Sequence, residues 1–321
     1  MKTIMSFGGL TAEPGQKVQG MAPLYPTAET FPITLINGCR PGRTILISSG
    51  IHGSEYPGIQ TAIEMAAEIR PENLSGQLVI LHPVNVAAFY EKSCYISPVT
   101  GTNLNRNFPG DEKGPLPLQI SHYLLHHYGM NCDFVLDLHG GDLHEALPPY
   151  VYYPGIGDAD VIEASRRVSE LVHCDYIVKS QSTTGFYNAC AIAGTPAVLI
   201  ERGSSGQWIP EEVVQYKSDV YNILRYLGAI EGEVVLPEKP AMKIQRAAYL
   251  DSPAAGCWYP LVKLHDPITT GQKIGEIRDF FGKLQAEIHA EYDGVILYMK
   301  DTLSITKKEF LIAYGTNCEA D

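Results

Sequence analysis

The 321-residue sequence predicts an α/β fold with a mostly buried central sheet, followed by a small all-β domain. Short and nearly all-apolar runs alternate with segments of helical periodicity between residues 43 and 227, which is typical of helices packed on a sheet. Beyond residue 237 no helical pattern follows, and glycines instead separate short β-type runs. We therefore expect one domain at residues 1–237 and a second at residues 238–321.

The first domain is expected to alternate strands and helices after an extended N-terminal stretch. Residues 1–40 alternate short apolar stretches with Pro and Gly, and they are expected to form extended segments and turns. Residues 44–48 are a β-branched strand, and Pro57 opens a helix over residues 58–69 because proline is favoured in the first helical turn. By the same criteria we predict strands at 77–81, 133–138 and 197–200, and helices at 118–128, 159–172 and 211–227.

Composition and charge exclude several classes of protein. The chain has 24 Lys and Arg against 36 Asp and Glu, and a net charge of −12 argues against a nucleic-acid partner. No apolar run approaches the ~20 residues that span a bilayer, and residues 1–16 lack the pattern of a signal peptide. Seven scattered cysteines without CxxC spacing fit a reducing compartment. These features predict a cytoplasmic globular protein with neither a nucleic-acid nor a membrane partner.

Four polar residues follow the predicted strands at equivalent places. His52 and Glu55 lie in the loop between the first strand and its helix, His139 follows the third strand, and Glu201 follows the fourth. In open α/β sheets, ligands bind outside the carboxyl ends of the strands. Two imidazoles and a carboxylate can hold zinc and leave a position for water, whose proton a further carboxylate can accept. The sequence therefore predicts a hydrolytic metal site.

A polar segment at residues 102–110 supplies groups that suit an anionic substrate. Arg106 carries a planar guanidinium that matches a carboxylate, and Asn105 adds an amide. Taken alone, the segment would equally fit a polar loop with an ion-paired arginine. Asp137, two residues before His139, is expected either to orient a group of the site or to cap a neighbouring loop.

Four motifs, in this order along the chain, resemble those of the zinc carboxypeptidase superfamily. Within it they match the succinylglutamate desuccinylase/aspartoacylase branch best, and the resemblance spans roughly residues 15–315. The motifs are His52-Gly-Ser-Glu55, Asn103-Leu-Asn-Arg-Asn-Phe-Pro109, Asp137-Leu-His139 and Leu199-Ile-Glu201. The resemblance implies a zinc carboxypeptidase-like first domain, with a mixed central sheet and flanking helices.

The resemblance also implies roles for individual residues. One zinc ion per chain would be held by His52, Glu55 and His139, with Glu201 as general base. Asn105 and Arg106 match the substrate-binding pair of the family, and Arg106 would also stabilise the oxyanion. The implied enzyme is a deacylase that hydrolyses the amide joining an acyl group to an amino acid or related amine, which is a carbon–nitrogen bond other than a peptide bond.

The sequence departs from the family pattern near the substrate site. Relatives carry an additional arginine shortly before Ser97-Pro98, whereas residues 88–98 of this chain contain none. Lys92 and Arg202 are the candidates to replace it. Asp142 and Glu145 follow His139 closely, and we expect this acidic loop to favour a substrate with a free amine over an N-acyl aspartate, with Asp142 as a binding residue.

Two other functions stay open at this point. The chain could be a zinc carboxypeptidase that acts on short peptides, with Arg106 on the terminal carboxylate. It could also be a non-catalytic ligand-binding relative, although the joint presence of Glu201 and all three candidate ligands argues against that. The expected partner is a small N-acyl amino acid-like substrate, and a homo-oligomer stays open. The second domain resembles the barrel-sandwich fold of biotinyl and lipoyl carriers, but it lacks the sequence context of their modified lysine, so a structural role is expected.

Overall fold

A nine-stranded mixed sheet forms the centre of the computed structural model, which describes residues 3–318. Its strand order is β12-β10-β9-β11-β7-β5-β6-β4-β3. The bounds are β3 (Gln16–Pro23), β4 (Thr30–Asn37), β5 (Arg40–Ser49), β6 (Ser75–Pro83), β7 (Phe134–His139), β9 (Tyr150–Pro154), β10 (Tyr176–Ser180), β11 (Ala197–Glu201) and β12 (Met242–Ile244). Strands β11, β7, β5 and β6 are mutually parallel and form the middle of the sheet. A separate hairpin joins β1 (Met5–Phe7) to β2 (Leu10–Ala12).

Helices cover both faces of this sheet. The α-helices are α1 (Tyr56–Glu68), α2 (Val86–Glu91), α3 (Leu116–His127), α4 (Ala159–Ser169), α5 (Phe186–Ile192) and α6 (Pro210–Tyr226), and short 3₁₀ helices lie at Pro71–Asn73, Leu104–Arg106 and Gly129–Asn131. Ile45 and Ile47 of β5 pack on the face covered by α1, α4 and α6, whereas Leu46 packs on the opposite face with α3 and α5. Burial on both faces explains why the central strands are almost entirely apolar.

Two smaller antiparallel sheets follow and enclose a third core around Trp258. One has the order β13-β20-β18-β15 and is extended by β8, and the other has the order β17-β16-β14-β19. Their strands are β8 (Glu145–Ala146), β13 (Arg246–Asp251), β14 (Gly256–Pro260), β15 (Pro267–Ile268), β16 (Lys273–Arg278), β17 (Leu284–His289), β18 (Gly294–Lys300), β19 (Ser304–Ile305) and β20 (Phe310–Thr316).

The predicted fold class is confirmed, and most predicted elements coincide with observed ones. The four predicted strands correspond to β5, β6, β7 and β11, and the four predicted helices to α1, α3, α4 and α6. The division at residue 237 stays a prediction. Two strand pairings cross this boundary. Strand β12, which follows residue 237, joins the nine-stranded sheet, and β8, which precedes it, pairs with β18. Within residues 3–318, no helix is both long and apolar enough to cross a bilayer, and the cytoplasmic location stays a prediction.

A candidate metal centre at the strand ends

The carboxyl ends of three parallel strands meet at one edge of the sheet and carry the site. His139 ends β7 and Glu201 ends β11, and these two residues are register partners. Strand β5 lies on the other side of β7, and its chain continues into the loop that holds His52 and Glu55. Because neighbouring strands run in the same direction, all four side chains start from the same edge, as the sequence predicts.

Two glycines allow the loops at this edge to approach their neighbours. A Cβ atom at Gly53 would lie 2.2 Å from the backbone nitrogen of Phe89, so only glycine lets the loop of His52 and Glu55 lie against α2. Gly203 has a φ of +91°, and a Cβ there would lie 2.5 Å from Cγ of Pro57. The chain leaving Glu201 therefore packs against the first turn of α1, directly after Glu55.

The three predicted ligands converge around the Glu55 carboxylate. Nδ1 of His52 lies 2.7 Å from Oε1 of Glu55, and Nδ1 of His139 lies 2.9 Å from Oε2. One ligand atom from each residue lies within 4.8 Å of the others, and all three side chains are buried. Two imidazole nitrogens and a carboxylate oxygen form a donor set typical of catalytic zinc.

The other nitrogen of each imidazole also faces an acceptor. Nε2 of His52 lies 3.1 Å from Oδ1 of Asn103, and Nε2 of His139 lies 3.3 Å from Oδ2 of Asp137. The backbone N–H of Asn105 donates to the same Asn103 atom, which identifies it as the amide oxygen. The neutral His52 imidazole has a single N–H and cannot donate to both Glu55 and Asn103. At His139 neither close contact is a hydrogen bond, because Nε2 of His139 and Oε2 of Glu55 are both buried without a hydrogen-bond partner among residues 3–318. A metal cation among the two Nδ1 atoms and Glu55 would satisfy these atoms, so the residues present fit a bound metal.

The two glutamates of the site, Glu55 and Glu201, have pKa values shifted in opposite directions. Burial would raise the pKa of Glu55, but His139 and His52 outweigh it and lower that pKa to about 2. Burial, reinforced by the charge of Glu55, raises the pKa of Glu201 well above its usual value. Oε2 of Glu201 is buried and has no hydrogen-bond partner in the part of the chain that the structure describes. Glu55 therefore suits a ligand, and Glu201 suits a group that exchanges protons.

Arg106 and Asn105, the predicted substrate-binding pair, have different surroundings. Arg106 is exposed and forms no ion pair with any residue between 3 and 318, and its Nη1 donates only to the carbonyl of Asn105. Asn105 is buried, and its Oδ1 accepts a hydrogen bond of 2.9 Å from the backbone N–H of Phe186 at the start of α5. Arg106 therefore offers a free cation, whereas Asn105 also anchors α5.

Neither predicted substitute for the absent arginine provides a buried cation at the site. Arg202 is committed elsewhere, since its Nη2 donates to the carbonyl of His173 at 2.6 Å and to Oδ2 of Asp219 at 2.8 Å. Lys92 is exposed at the end of α2. The buried cation near the acidic loop is Lys300 of β18, which sequence reasoning missed because it lies 155 positions after Glu145.

Asp142 lies directly beside the ligand loop. Its Oδ1 accepts a hydrogen bond of 3.0 Å from Oγ of Ser54, which stands between His52 and Glu55 in the sequence, and another from the backbone N–H of Leu143. Its Oδ2 is buried without a hydrogen-bond partner among residues 3–318. Asp142 therefore lies beside the candidate ligands with one oxygen that has no hydrogen bond, and its role in substrate binding stays a prediction.

Comparison with known proteins identifies the family. The profile of the succinylglutamate desuccinylase/aspartoacylase catalytic domain matches residues 41–227. The chain belongs to this family. The resemblance predicted from the four motifs is thereby confirmed.

Relatives and solved structures agree with this family membership. The N-alpha-acetyl-L-2,4-diaminobutyric acid deacetylase of Halomonas elongata is 29% identical over 283 residues, covering 84% of this chain and 80% of the relative. The product-bound ectoine utilization protein EutE (DoeB) from Ruegeria pomeroyi superposes with a TM-score of 0.82 at 22% identity, covering 94% and 95% of the two chains. A succinylglutamate desuccinylase/aspartoacylase from Rhodobacter sphaeroides gives 0.78 at 24% identity, covering 94% and 96%. At these identities the two structures show a shared fold.

Four tyrosines form a cluster near Glu201 in this family member, and we call Tyr150, Tyr152, Tyr249 and Tyr298 the tyrosine wall. Tyr150 of β9 stacks on Tyr298 of β18 with 6.0 Å between ring centroids, and the hydroxyls of Tyr152 and Tyr249 lie 3.1 Å apart. Burial raises the pKa of both Tyr150 and Tyr298, and the charge of Glu201 adds to the effect at each. Sequence reasoning missed this wall because β9 was not predicted and β13 and β18 were assigned to a separate domain.

Asn103→Ala is expected to weaken zinc binding by about 10- to 100-fold, because the variant frees Nε2 of His52 from the acceptor that orients the ring. A competition titration against a chromogenic chelator measures the effect. Asn107→Ala is the matched control, since Asn107 donates to Thr102 in the same segment. Equal zinc affinity in both variants would show that Asn103 does not position His52.

Proposed function

We propose that this chain is a zinc-dependent deacylase that removes the acyl group from the α-amine of a diamino acid whose second amine is free. The observation that carries the proposal is the convergence of His52, Glu55 and His139 beside the unpaired carboxylate of Glu201. The relative from Halomonas elongata supports the substrate class, since its name describes a deacetylase of an N-acetylated diamino acid.

The proposed chemistry divides between the metal and the protein. Zinc bound by the three ligands supplies a Lewis acid that lowers the pKa of water from 15.7 towards about 7 and polarises a carbonyl. Glu201 accepts the proton of the attacking water and delivers it to the leaving nitrogen, so that the amine departs as a neutral group. General acid–base catalysis of this kind contributes typically about 10²- to 10⁴-fold to the rate.

Arg106 and Asp142 have the charges that orient a zwitterionic substrate. The free guanidinium of Arg106 binds the α-carboxylate, which it can contact through two N–H groups. The unpartnered Oδ2 of Asp142 accepts a hydrogen bond from the ammonium group of the side chain. A second carboxylate on the substrate, as in N-acetylaspartate, would instead meet Asp142 as a like charge.

Asp142→Asn is expected to lower kcat/KM for Nα-acetyl-2,4-diaminobutyrate about tenfold or more, mainly through KM, because the amide keeps the shape and loses the charge. Steady-state kinetics on this substrate, N-acetylaspartate and a set of dipeptides measures the effect. Asp160→Asn, an exposed change on α4, is the control. Equal or better use of N-acetylaspartate by the unsubstituted enzyme contradicts the substrate class, and preference for dipeptides would indicate a carboxypeptidase.

A further inference from the structure

Lys300 is a buried cation whose charge is not matched by hydrogen bonds. Lys300 is 1% exposed, and its Nζ has no hydrogen-bond partner among the residues that the structure describes. The nearest carboxylate oxygens belong to Glu145 at 3.5 Å and Glu309 at 3.8 Å, and the ring of Tyr95 lies 4.9 Å away. Burying an ammonium group is costly, so the charge of Lys300 has to be compensated by the carboxylates around it.

The strand pairing of β8 with β18 brings Lys300 to the acidic loop. Lys300 and Glu145 are register partners, and the backbone N–H of Asp301 donates to the carbonyl of His144 at 3.2 Å. The loop is held from its other side by Ser205, whose backbone N–H donates to the carbonyl of Glu145 at 2.8 Å. Backbone hydrogen bonds therefore hold the two residues of the ion pair, Lys300 and Glu145, next to each other.

Glu145 is electrostatically part of the candidate site. Burial, reinforced by the charges of Asp142 and Glu55, raises the pKa of Glu145 above its usual value, and the charge of Lys300 opposes that rise. Lys300 is thus the main group that favours the ionised form of Glu145. Glu309 contributes less, because it is held by Thr306 in a neighbouring turn where solvent reaches it.

We propose that Lys300 determines the charge that the pocket presents to the substrate, by neutralising Glu145 so that Asp142 alone meets the substrate's ammonium group. This inference rests on the proposed function, in which Asp142 binds a free amine. Asp142, Glu145 and Lys300 then sum to a single negative charge, which matches a monocationic side chain. Lys300 is a specificity-determining residue that acts through Glu145 and does not contact the substrate.

The test uses a substrate pair of equal shape and different charge. Nα-acetyl-2,4-diaminobutyrate ends in an ammonium group where N-acetylnorvaline ends in a methyl group, so the ratio of their kcat/KM values isolates recognition of the charge. Glu145→Gln leaves Lys300 uncompensated beside Asp142, and we expect the ratio to fall about tenfold. The double variant Glu145→Gln with Lys300→Met removes both charges, and we expect its ratio to return close to that of the unsubstituted enzyme.

An ion pair in the neighbouring sheet, between β16 and β17, serves as control. Lys273→Met with Glu287→Gln removes a surface pair joined at 2.6 Å and should leave the ratio unchanged. An unchanged ratio in Glu145→Gln, or a double variant no better than Glu145→Gln, overturns the inference. If the unsubstituted enzyme shows no preference for the ammonium substrate, the substrate class of the proposed function fails instead. The two failures are therefore distinguishable.

Discussion

Glu201→Gln is expected to lower kcat for Nα-acetyl-2,4-diaminobutyrate by about 10²- to 10⁴-fold while the protein keeps its zinc. The substitution keeps the size and shape of the side chain, but it replaces one carboxylate oxygen by an NH₂ group and removes the capacity to accept a proton. Glu201 is not one of the three converging ligands, and its Oε2 has no hydrogen bond to lose among residues 3–318. Steady-state kinetics and metal analysis of the same preparation measure both properties.

The control for this variant is Glu211→Gln, an exposed glutamate in the first turn of α6. We expect the control to keep both kcat and zinc. Full activity in Glu201→Gln would refute its role as general base. Loss of zinc together with activity would instead make Glu201 a ligand, contrary to the geometry of residues 3–318, in which the Glu55 carboxylate lies between the two Nδ1 atoms.

Glu55→Gln is expected to reduce zinc content to near zero and activity by more than about 100-fold, a larger effect than changing an outer contact. Both Nδ1 atoms face the Glu55 carboxylate, at 2.7 and 2.9 Å, so this residue supplies the only negative charge of the three-ligand set. Its amide counterpart is neutral and presents an N–H₂ donor towards one of the imidazoles. Metal analysis after dialysis and the deacetylation rate measure the outcome.

Glu64→Gln is the matched control, since Glu64 lies on α1 and forms a surface ion pair with Lys217 at 2.7 Å. A thermal melt of both variants separates loss of the ligand from loss of the fold. A Glu55→Gln protein that folds, keeps one zinc per chain and hydrolyses its substrate at the normal rate would refute the assignment of Glu55 as a ligand.

The position of the candidate metal centre could be predicted because it depends on short-range patterns. The apolar run before His139 and the one before Glu201 identify parallel strands, and parallel strands present their carboxyl ends at one edge. From the sequence, the free guanidinium of Arg106 could not be distinguished from an ion-paired one, because that depends on which carboxylates the fold brings near it.

The rest of the site depends on contacts between distant parts of the chain. Strand β9 escaped prediction because it ends in Pro154 and three of its five residues are tyrosines, whereas the predicted strands are runs of aliphatic residues. The contact of Lys300 with Glu145 follows from pairing between β8 and β18, and a two-residue strand such as β8 leaves no readable pattern. The sequence therefore predicted which candidate ligands lie together and which loop lies beside them, but it did not predict the contact of Lys300 with that loop.

The central claim is that one zinc ion, held by His52, Glu55 and His139, is required for deacylation. The most direct measurement titrates zinc into chelator-treated protein and follows bound metal and hydrolysis of Nα-acetyl-2,4-diaminobutyrate together. We predict that activity is absent without metal, rises in proportion to bound zinc and reaches its plateau at one ion per chain. Full hydrolysis by the metal-free protein, or a rate that does not follow zinc occupancy, would contradict the claim.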